Sequence, residues 1–353
     1  MEKQLMKGNE AIAEAAVRAG CRYFFGYPIT PQNALPEYMS WRLPEVDGVF
    51  LQAESEVAAI NMVYGAAGAG ARVLTSSSSP GISLKMEGIS YIAGAELPCV
   101  IVNIMRAGPG LGGIQPSQSD YFQATKGGGH GDYRMTVLAP STVQEAVDLT
   151  MDAFEIADYY RNPVMILGDG IIGQMMEPVK FKKQVDPEKL SEKEWATVGA
   201  KNRKPNIINS LYLDTEELER HNLRLQAKYD EMKEKEVRFE LYKMEDAELA
   251  VVAYGTTARI AISAVDKARK QGLKVGLIRP ISLYPFPESI IQETIKNIKQ
   301  YLVVEMSSGQ MVEDVKLAVN GKKPVSFYGR SGGMVPTHEE IFDVIVELER
   351  SPE

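Results

Sequence analysis

QAESEVAAINMVYGAAGAGARVLTSSSS, residues 52–79, decides how the fold is read. Ser55 stands where a helix N-cap belongs, its oxygen placed to accept a first-turn N–H. The alanine-rich run behind it predicts a helix through about Ala71. ARVLTSSSS then predicts a strand that runs into a serine loop. Toward the N-terminus, GNEAIAEAAVRAG (8–20) predicts a helix stopped at Gly20, and CRYFFGY (21–27) a short buried strand broken by Pro28. Toward the C-terminus, ISLKMEGISYIAGAE (82–96) is helical and LPCVIVNIMRA (97–107) is a strand. TVQEAVDLTMDAFEIADYYR (142–161) follows as a long amphipathic helix, and NPVMILGDG (162–170) as another strand. Strands this uniformly apolar, alternating with helices, predict an α/β fold: a parallel sheet covered on both faces.

After Pro178 the pattern changes. Residues 181–246 lose apolar periodicity and gain charge, and read as a linker carrying a long helix from about Thr215 to Leu241. Leu218, Leu225, Tyr229 and Met232 are spaced to line one face of it. We expect that face to be clamped against a partner surface. From Ala247 the α/β rhythm resumes: LAVVAYG (249–255) is a strand, TTARIAISAVDKARKQG (256–272) a helix, and KVGLIRP (274–280) and YLVVEM (301–306) further strands. The organisation expected is residues 1–180, a linker over 181–246, and residues 247–353.

The 353 residues are 44% hydrophobic with a net charge of −8, which argues against a nucleic-acid-binding surface. No apolar stretch reaches bilayer-spanning length, and the first twenty residues do not read as a signal peptide, so a cytoplasmic protein is expected. Cys21 and Cys99 read as buried reduced thiols, and His130, His221 and His338 are widely separated. Neither pattern offers a metal or iron–sulfur ligand set.

Three segments at predicted strand ends can carry chemistry, because open α/β sheets place ligands there. Gly26-Tyr27-Pro28-Ile29-Thr30-Pro31 is a stiff turn that fixes a hydroxyl. Gln52-Ala53-Glu54-Ser55-Glu56 places a carboxylate at a helix start, facing a cofactor or simply the helix dipole. Met105-Arg106-Ala107-Gly108 presents an arginine suited to a carboxylate. Two glycine motifs carry less. Gly108–Gly113 has the dinucleotide spacing but is followed by a loop sequence with a proline rather than a helix. Gly168-Asp169-Gly170 lacks the later asparagine that a magnesium–diphosphate site needs, and reads as a strand-end turn. His130 reads as an exposed loop residue.

Taken in order, FGYPITP (25–31), QAESEVAAINMVYGAAGAGARV (52–73), PGISLKMEGISYIAGAELP (80–98), MRAGPGLGG (105–113), KGGGHGDY (126–133) and APSTVQEAVDLT (139–150) resemble the α-type subunit of the 2-oxoacid:ferredoxin oxidoreductases. IRPISLYPFP (278–287), VVEMSSGQM (303–311) and YGRSGGMVP (328–336) extend the resemblance over nearly the whole chain. Within that family the sequence is most similar to the branched-chain 2-oxoacid (2-oxoisovalerate) type. Ser79 departs from the pattern, which has glycine before Pro80-Gly81.

The resemblance implies a thiamine-diphosphate-binding fold of pyrimidine type plus a transketolase C-terminal-like α/β domain. It implies oxidative decarboxylation of a 2-oxoacid to acyl-CoA and CO2, with electrons passing to ferredoxin. Thiamine diphosphate would lie between this chain and a β-type subunit that holds the diphosphate and Mg2+. Coenzyme A, a γ-type subunit and a ferredoxin-like subunit carrying the iron–sulfur clusters complete the expected system. Glu56 would hydrogen-bond the pyrimidine N1′, Pro28 would line the pyrimidine pocket, and Thr30 and Arg106 would hold the substrate; Glu54 competes with Glu56 for its role. Pyruvate and 2-oxoglutarate are the alternative substrates, and a non-catalytic scaffold is the alternative role. An NAD-dependent dehydrogenase using residues 108–113 is a further alternative, and it makes a simple prediction. Titrating the purified chain with NADH should show no saturable fluorescence change, and saturation would restore the dinucleotide reading.

Overall fold

The computed structural model describes residues 3–350. Strand β1 (Gln4–Lys7) leads into α1 (Gly8–Arg18), β2 (Tyr23–Gly26), α2 (Ala34–Arg42), β3 (Val49–Gln52) and α3 (Glu56–Gly68). Next come β4 (Val73–Ser77), α4 (Ser79–Gly94), β5 (Cys99–Met105), α5 (Tyr121–Thr125), β6 (Thr136–Leu138) and α6 (Val143–Tyr160). The first half closes with β7 (Pro163–Asp169), α7 (Gly170–Gln174) and β8 (Met176–Val179). After a long connection follow α8 (Thr215–Lys235), β9 (Phe239–Tyr242), β10 (Leu249–Val252), α9 (Gly255–Lys270) and β11 (Val275–Pro280). The chain then runs through β12 (Ser282–Tyr284), α10 (Glu288–Thr294), β13 (Gln300–Glu305), α11 (Met311–Val319), β14 (Val325–Gly329) and α12 (His338–Arg350).

A seven-stranded sheet has the order β12-β6-β7-β5-β4-β2-β3, and a five-stranded sheet the order β14-β13-β10-β11-β9. Pairing is parallel throughout both, except for β12 on β6 and β9 on β11 at the edges. The central strands β4, β5 and β7 are buried at every position, as continuous apolar runs require when helices cover both faces. In β10 the alternation separates two packed layers: Ala250 and Val252 join the large core shared with the first sheet, while Leu249 and Val251 face α9 and α12.

The two sheets are joined by more than the connecting chain. Gln118 donates through Nε2 to the Tyr254 carbonyl at 2.9 Å, and its Oε1 accepts from Thr257 Oγ1 at 2.6 Å and from the Met306 N–H at 2.9 Å. Arg279 grips Glu145 with two bonds of 2.8 and 2.9 Å. β12, from the C-terminal half of the chain, extends the first sheet by pairing with β6.

Several expectations are corrected here. The long helix ends at Lys235, not near Leu241, and Phe239–Tyr242 instead form edge strand β9 of the second sheet. Its apolar face is not left for a partner: Leu225, Tyr229 and Met232 are buried within this chain. Lys228 pairs with Glu96 at 3.1 Å, and a His221 ring nitrogen meets the Gly94 carbonyl at 2.7 Å. Leu218, assigned to that face, is exposed. The charged stretch ahead of the helix also leans on the N-terminal half: Thr197 N–H donates to the Gly68 carbonyl at 2.9 Å, and Trp195 lies 4.4 Å beneath the Arg161 guanidinium. The serine loop after β4 is shorter than expected, because Ser79 already opens α4.

Since Met232 is fully buried against its own chain, Met232→Ala should destabilise the chain by about 2–5 kcal/mol even without any partner subunit. Urea unfolding of the purified chain would measure it, and an unchanged midpoint would return the helix to a partner-dependent role.

Candidate functional site

Because β5, β4, β2 and β3 lie side by side and parallel, the loops leaving their carboxyl ends share one rim. That rim carries Pro28 and Thr30 after β2, Glu54 and Glu56 after β3, the serines ahead of α4, and Arg106 after β5.

Ser55 caps α3 as its sequence position predicts, its Oγ accepting the Ala58 N–H at 3.2 Å. Glu56 is thereby the first helical residue, and it is only 6% exposed, whereas Glu54 is exposed. α4 crosses the carboxylate at Gly81. A Cβ at that position would lie 2.5 Å from Glu56 Oε1 and 2.1 Å from Ser77 Oγ, so only glycine permits this approach. Among the described residues no side chain or backbone group hydrogen-bonds the Glu56 carboxylate, and the buried Ser77 hydroxyl is likewise without a partner. Buried polar groups are normally paired, so the Ser77 hydroxyl beside the Glu56 carboxylate is an exception among the described residues.

Lys85, one turn further along α4, is fully buried and donates to Thr75 Oγ1 at 2.6 Å and the Ser76 carbonyl at 3.0 Å. Burial pushes its ammonium down to about 7, against the opposing pull of the Glu56 charge. The sequence reading passed over this residue. The available signal was a lysine on the helix face that also carries Ile82, Met86 and Ile89, all buried.

Arg106 follows β5 and is 7% exposed. Its guanidinium donates to the Thr30 carbonyl at 3.0 Å and the Leu111 carbonyl at 3.1 Å, while Nε is buried without a partner. Thr30 and Arg106, predicted separately, are therefore in direct contact. Arg106 lines a cleft of about 360 Å³ together with Ser79, Ser83, Asp120, Ser307 and Gln310, the last two contributed by the C-terminal half. Pro28 stands exposed on the loop after β2, outside that cleft. His130 is exposed, as expected.

The two glycine motifs resolve as loops and caps. After Gly113 no helix opens until Tyr121; instead the loop doubles back, with Gly113 N–H on the Ala107 carbonyl and Ala107 N–H on the Gln115 carbonyl, both at 2.9 Å. Asp169 ends β7, and its Oδ1 caps α7 by accepting the Ile171 and Ile172 N–H groups. Burial raises its carboxyl above the usual range.

The two mainly parallel sheets, with their loops gathered on one rim, define an α/β protein with a thiamine-diphosphate-binding fold. Residues 14–248 match the family described as pyruvate flavodoxin/ferredoxin oxidoreductase, thiamine diphosphate-binding, and residues 247–341 match pyruvate:ferredoxin oxidoreductase core domain II. The chain belongs to this 2-oxoacid:ferredoxin oxidoreductase family. It is 53% identical to the ketoisovalerate oxidoreductase subunit VorB of Methanothermobacter marburgensis, covering 99% of this chain and 98% of that one. It is 36% identical to the 2-oxoglutarate synthase subunit KorA of Methanothermobacter thermautotrophicus, over 99% of this chain and 100% of that one. Among solved structures, the 2-oxoglutarate:ferredoxin oxidoreductase from Magnetococcus marinus, with 2-oxoglutarate, coenzyme A and succinyl-CoA bound, superposes with a TM-score of 0.86 at 26% identity. That match covers 98% of this chain and 65% of the other. A split-gene transketolase shares the fold alone, at a TM-score of 0.62 and 12% identity.

The buried lysine makes the site's electrostatics testable. The folded protein holds Lys85 less protonated than the unfolded chain does, so its contribution to stability should rise with pH between about 7 and 10.5 and stay flat below that window. Comparing unfolding midpoints across that window, the wild type should gain on Lys85→Met as pH increases; a pH-independent gap between the two would contradict the assignment.

Proposed function

We propose that this chain is the pyrimidine-binding subunit of an enzyme that oxidatively decarboxylates a branched-chain 2-oxoacid, 2-oxoisovalerate, to acyl-CoA and CO2. Electrons pass to ferredoxin. The observation that carries this reading is Glu56, a nearly buried carboxylate without an internal hydrogen bond, on the same rim as Arg106 and Thr30. The similarity to the ketoisovalerate subunit over almost the full length supports the branched-chain substrate.

When bound, thiamine diphosphate supplies the carbon nucleophile that attacks the keto group. This chain supplies what surrounds it. Glu56 holds a proton at the pyrimidine ring nitrogen, and the buried setting keeps water from competing for the carboxylate. Arg106, with Nε directed to no protein group, pairs with the substrate carboxylate, and a charge-assisted contact of this kind is worth roughly 1.5–3 kcal/mol. Thr30 is held against Arg106 through its carbonyl, which leaves its hydroxyl to the substrate apart from a long 3.4 Å contact with Asn33. Pro28 borders the pyrimidine from the exposed side of the rim.

The diphosphate and Mg2+ belong to a β-type partner subunit. Exposed Val57 and Leu84, on the helices that carry Glu56 and Gly81, and Leu51 on β3 give that partner an apolar surface to cover. A γ-type subunit and a ferredoxin-like subunit bring the iron–sulfur clusters; within this chain both cysteines are buried, and burial pushes their thiols up to about 12. Among the described residues no helix is long and apolar enough to cross a membrane, in keeping with a cytoplasmic complex. The working division of the chain is residues 1–180, a connecting segment to 246, and residues 247–353.

Reconstitution tests the reading. The isolated chain should show little turnover and recover it when the β-type and iron–sulfur subunits are added. Glu56→Gln should then lower turnover of 2-oxoisovalerate at least a hundredfold while the complex still assembles, given that proton-transfer groups contribute about 10²–10⁴-fold. Retained turnover in that variant would remove Glu56 from its role and leave the chain as a scaffold.

A further inference from the structure

Ser79 stands where the family resemblance leads one to expect glycine, and the structure gives its hydroxyl a specific place. Ser79 opens α4, directly across from the end of β5. Its Oγ accepts the backbone N–H of Arg106 at 3.0 Å and donates to Asp120 Oδ2 at 2.6 Å. Asp120 Oδ2 also accepts from Asn103 Nδ2 at 2.9 Å, and Asn103 Oδ1 accepts the Ser79 N–H at 3.2 Å. Ser79, Asp120 and Asn103 close a ring of hydrogen bonds, and the Arg106 backbone is attached to it through the Ser79 hydroxyl. Asn103, Ser79 and Asp120 are all buried.

The ring sits where Arg106 most needs support. β5 ends at Met105, so the arginine lies one residue beyond the regular ladder. On its other side it forms an isolated bridge to Pro116, which as proline has no N–H to donate. The following loop is glycine-rich and doubles back. Without the Ser79 bond, the Arg106 N–H would be a buried donor at a loose strand end. Asp120 cannot perform this task alone. It reaches Arg106 only through the hydroxyl, which a glycine at position 79 would not supply.

We propose that Ser79, with Asp120 as its anchor, is a positioning residue for Arg106, fixing the backbone from which the guanidinium reaches a 2-oxoacid carboxylate. Both residues also line the cleft that Arg106 faces, so the positioning is local to the substrate end rather than to Glu56. The inference rests on the reading of Arg106 as the carboxylate-binding group. It makes the serine the device by which this chain tightens its hold on the substrate's acid end.

The test is steady-state kinetics on the reconstituted complex, with 2-oxoisovalerate as substrate and thiamine diphosphate affinity measured separately. Ser79→Ala and Ser79→Gly should each raise KM for the 2-oxoacid by about 3–10-fold, the value of one hydrogen bond, with kcat and cofactor affinity within twofold of wild type. Asp120→Asn should move KM in the same direction, and Ser79→Thr, which keeps the hydroxyl, should restore it. Arg106→Met serves as the control for the underlying reading, with a larger rise in KM. If Arg106→Met raises KM while the Ser79 variants leave it unchanged, the positioning proposal is wrong and the arginine's role survives. If Arg106→Met leaves KM unchanged, the reading of Arg106 fails and takes the proposal with it. A parallel loss of kcat, cofactor affinity and KM in every variant, Ser79→Thr included, would show a merely structural serine and overturn the proposal. Should Asp120→Asn fail to assemble, the comparison of Ser79→Ala with Ser79→Thr decides alone.

Discussion

Parallel strand pairing is the constraint on which the molecule depends. In a parallel sheet every strand ends on the same side, so β2, β3, β4 and β5 must deliver their following loops to one rim. Thr30, Glu56, Ser77 and Arg106 are far apart in sequence and come from the ends of four different strands. The backbone ladder brings them together, and its hydrogen bonds are satisfied inside the sheet whether or not a ligand is present. The site can therefore carry unpaired polar atoms without loosening the scaffold beneath it.

The rim is selective about what it leaves unpaired. Asp169, one strand further on, caps α7 through Oδ1, and Glu305 accepts the Met311 and Val312 N–H groups at 3.1 and 3.0 Å. These carboxylates hold helix starts in place. Glu56 is instead the first residue inside α3, and the capping there is done by Ser55. Separating the two jobs frees the glutamate. Gly81 passes close beside it, where any side chain would collide with the carboxylate.

The C-terminal half contributes a wall rather than a second site. Gln118 uses both ends of its amide across the junction, and Arg279 meets Glu145 in a two-point grip, so the halves are tied by geometrically demanding bonds rather than by apolar contact alone. Ser307 and Gln310 are thereby fixed on the far side of the cleft from Arg106. β9 and β12 reinforce the junction: one takes a segment expected to be linker into the second sheet, and the other hands a C-terminal strand to the first.

Composition and periodicity alone determined the α/β class, the parallel core strands, the Ser55 cap and the absence of a dinucleotide helix after Gly113, because each depends on neighbours within a few residues. Short strands such as β6, β9 and β12 left no trace, since three or four residues carry too little periodicity to be read and are strands only because a partner is beside them. The apolar face of α8 was legible, but not what covers it: a helical stripe shows that something packs there, and only the folded chain shows that its own N-terminal half does so. The same holds for the site. Glu56, Thr30 and Arg106 could be singled out by residue type at strand ends. The ring joining Ser79, Asp120 and Asn103 to Arg106, and the burial of Lys85 beside Glu56, arise from contacts between residues far apart in the chain, which only tertiary packing decides.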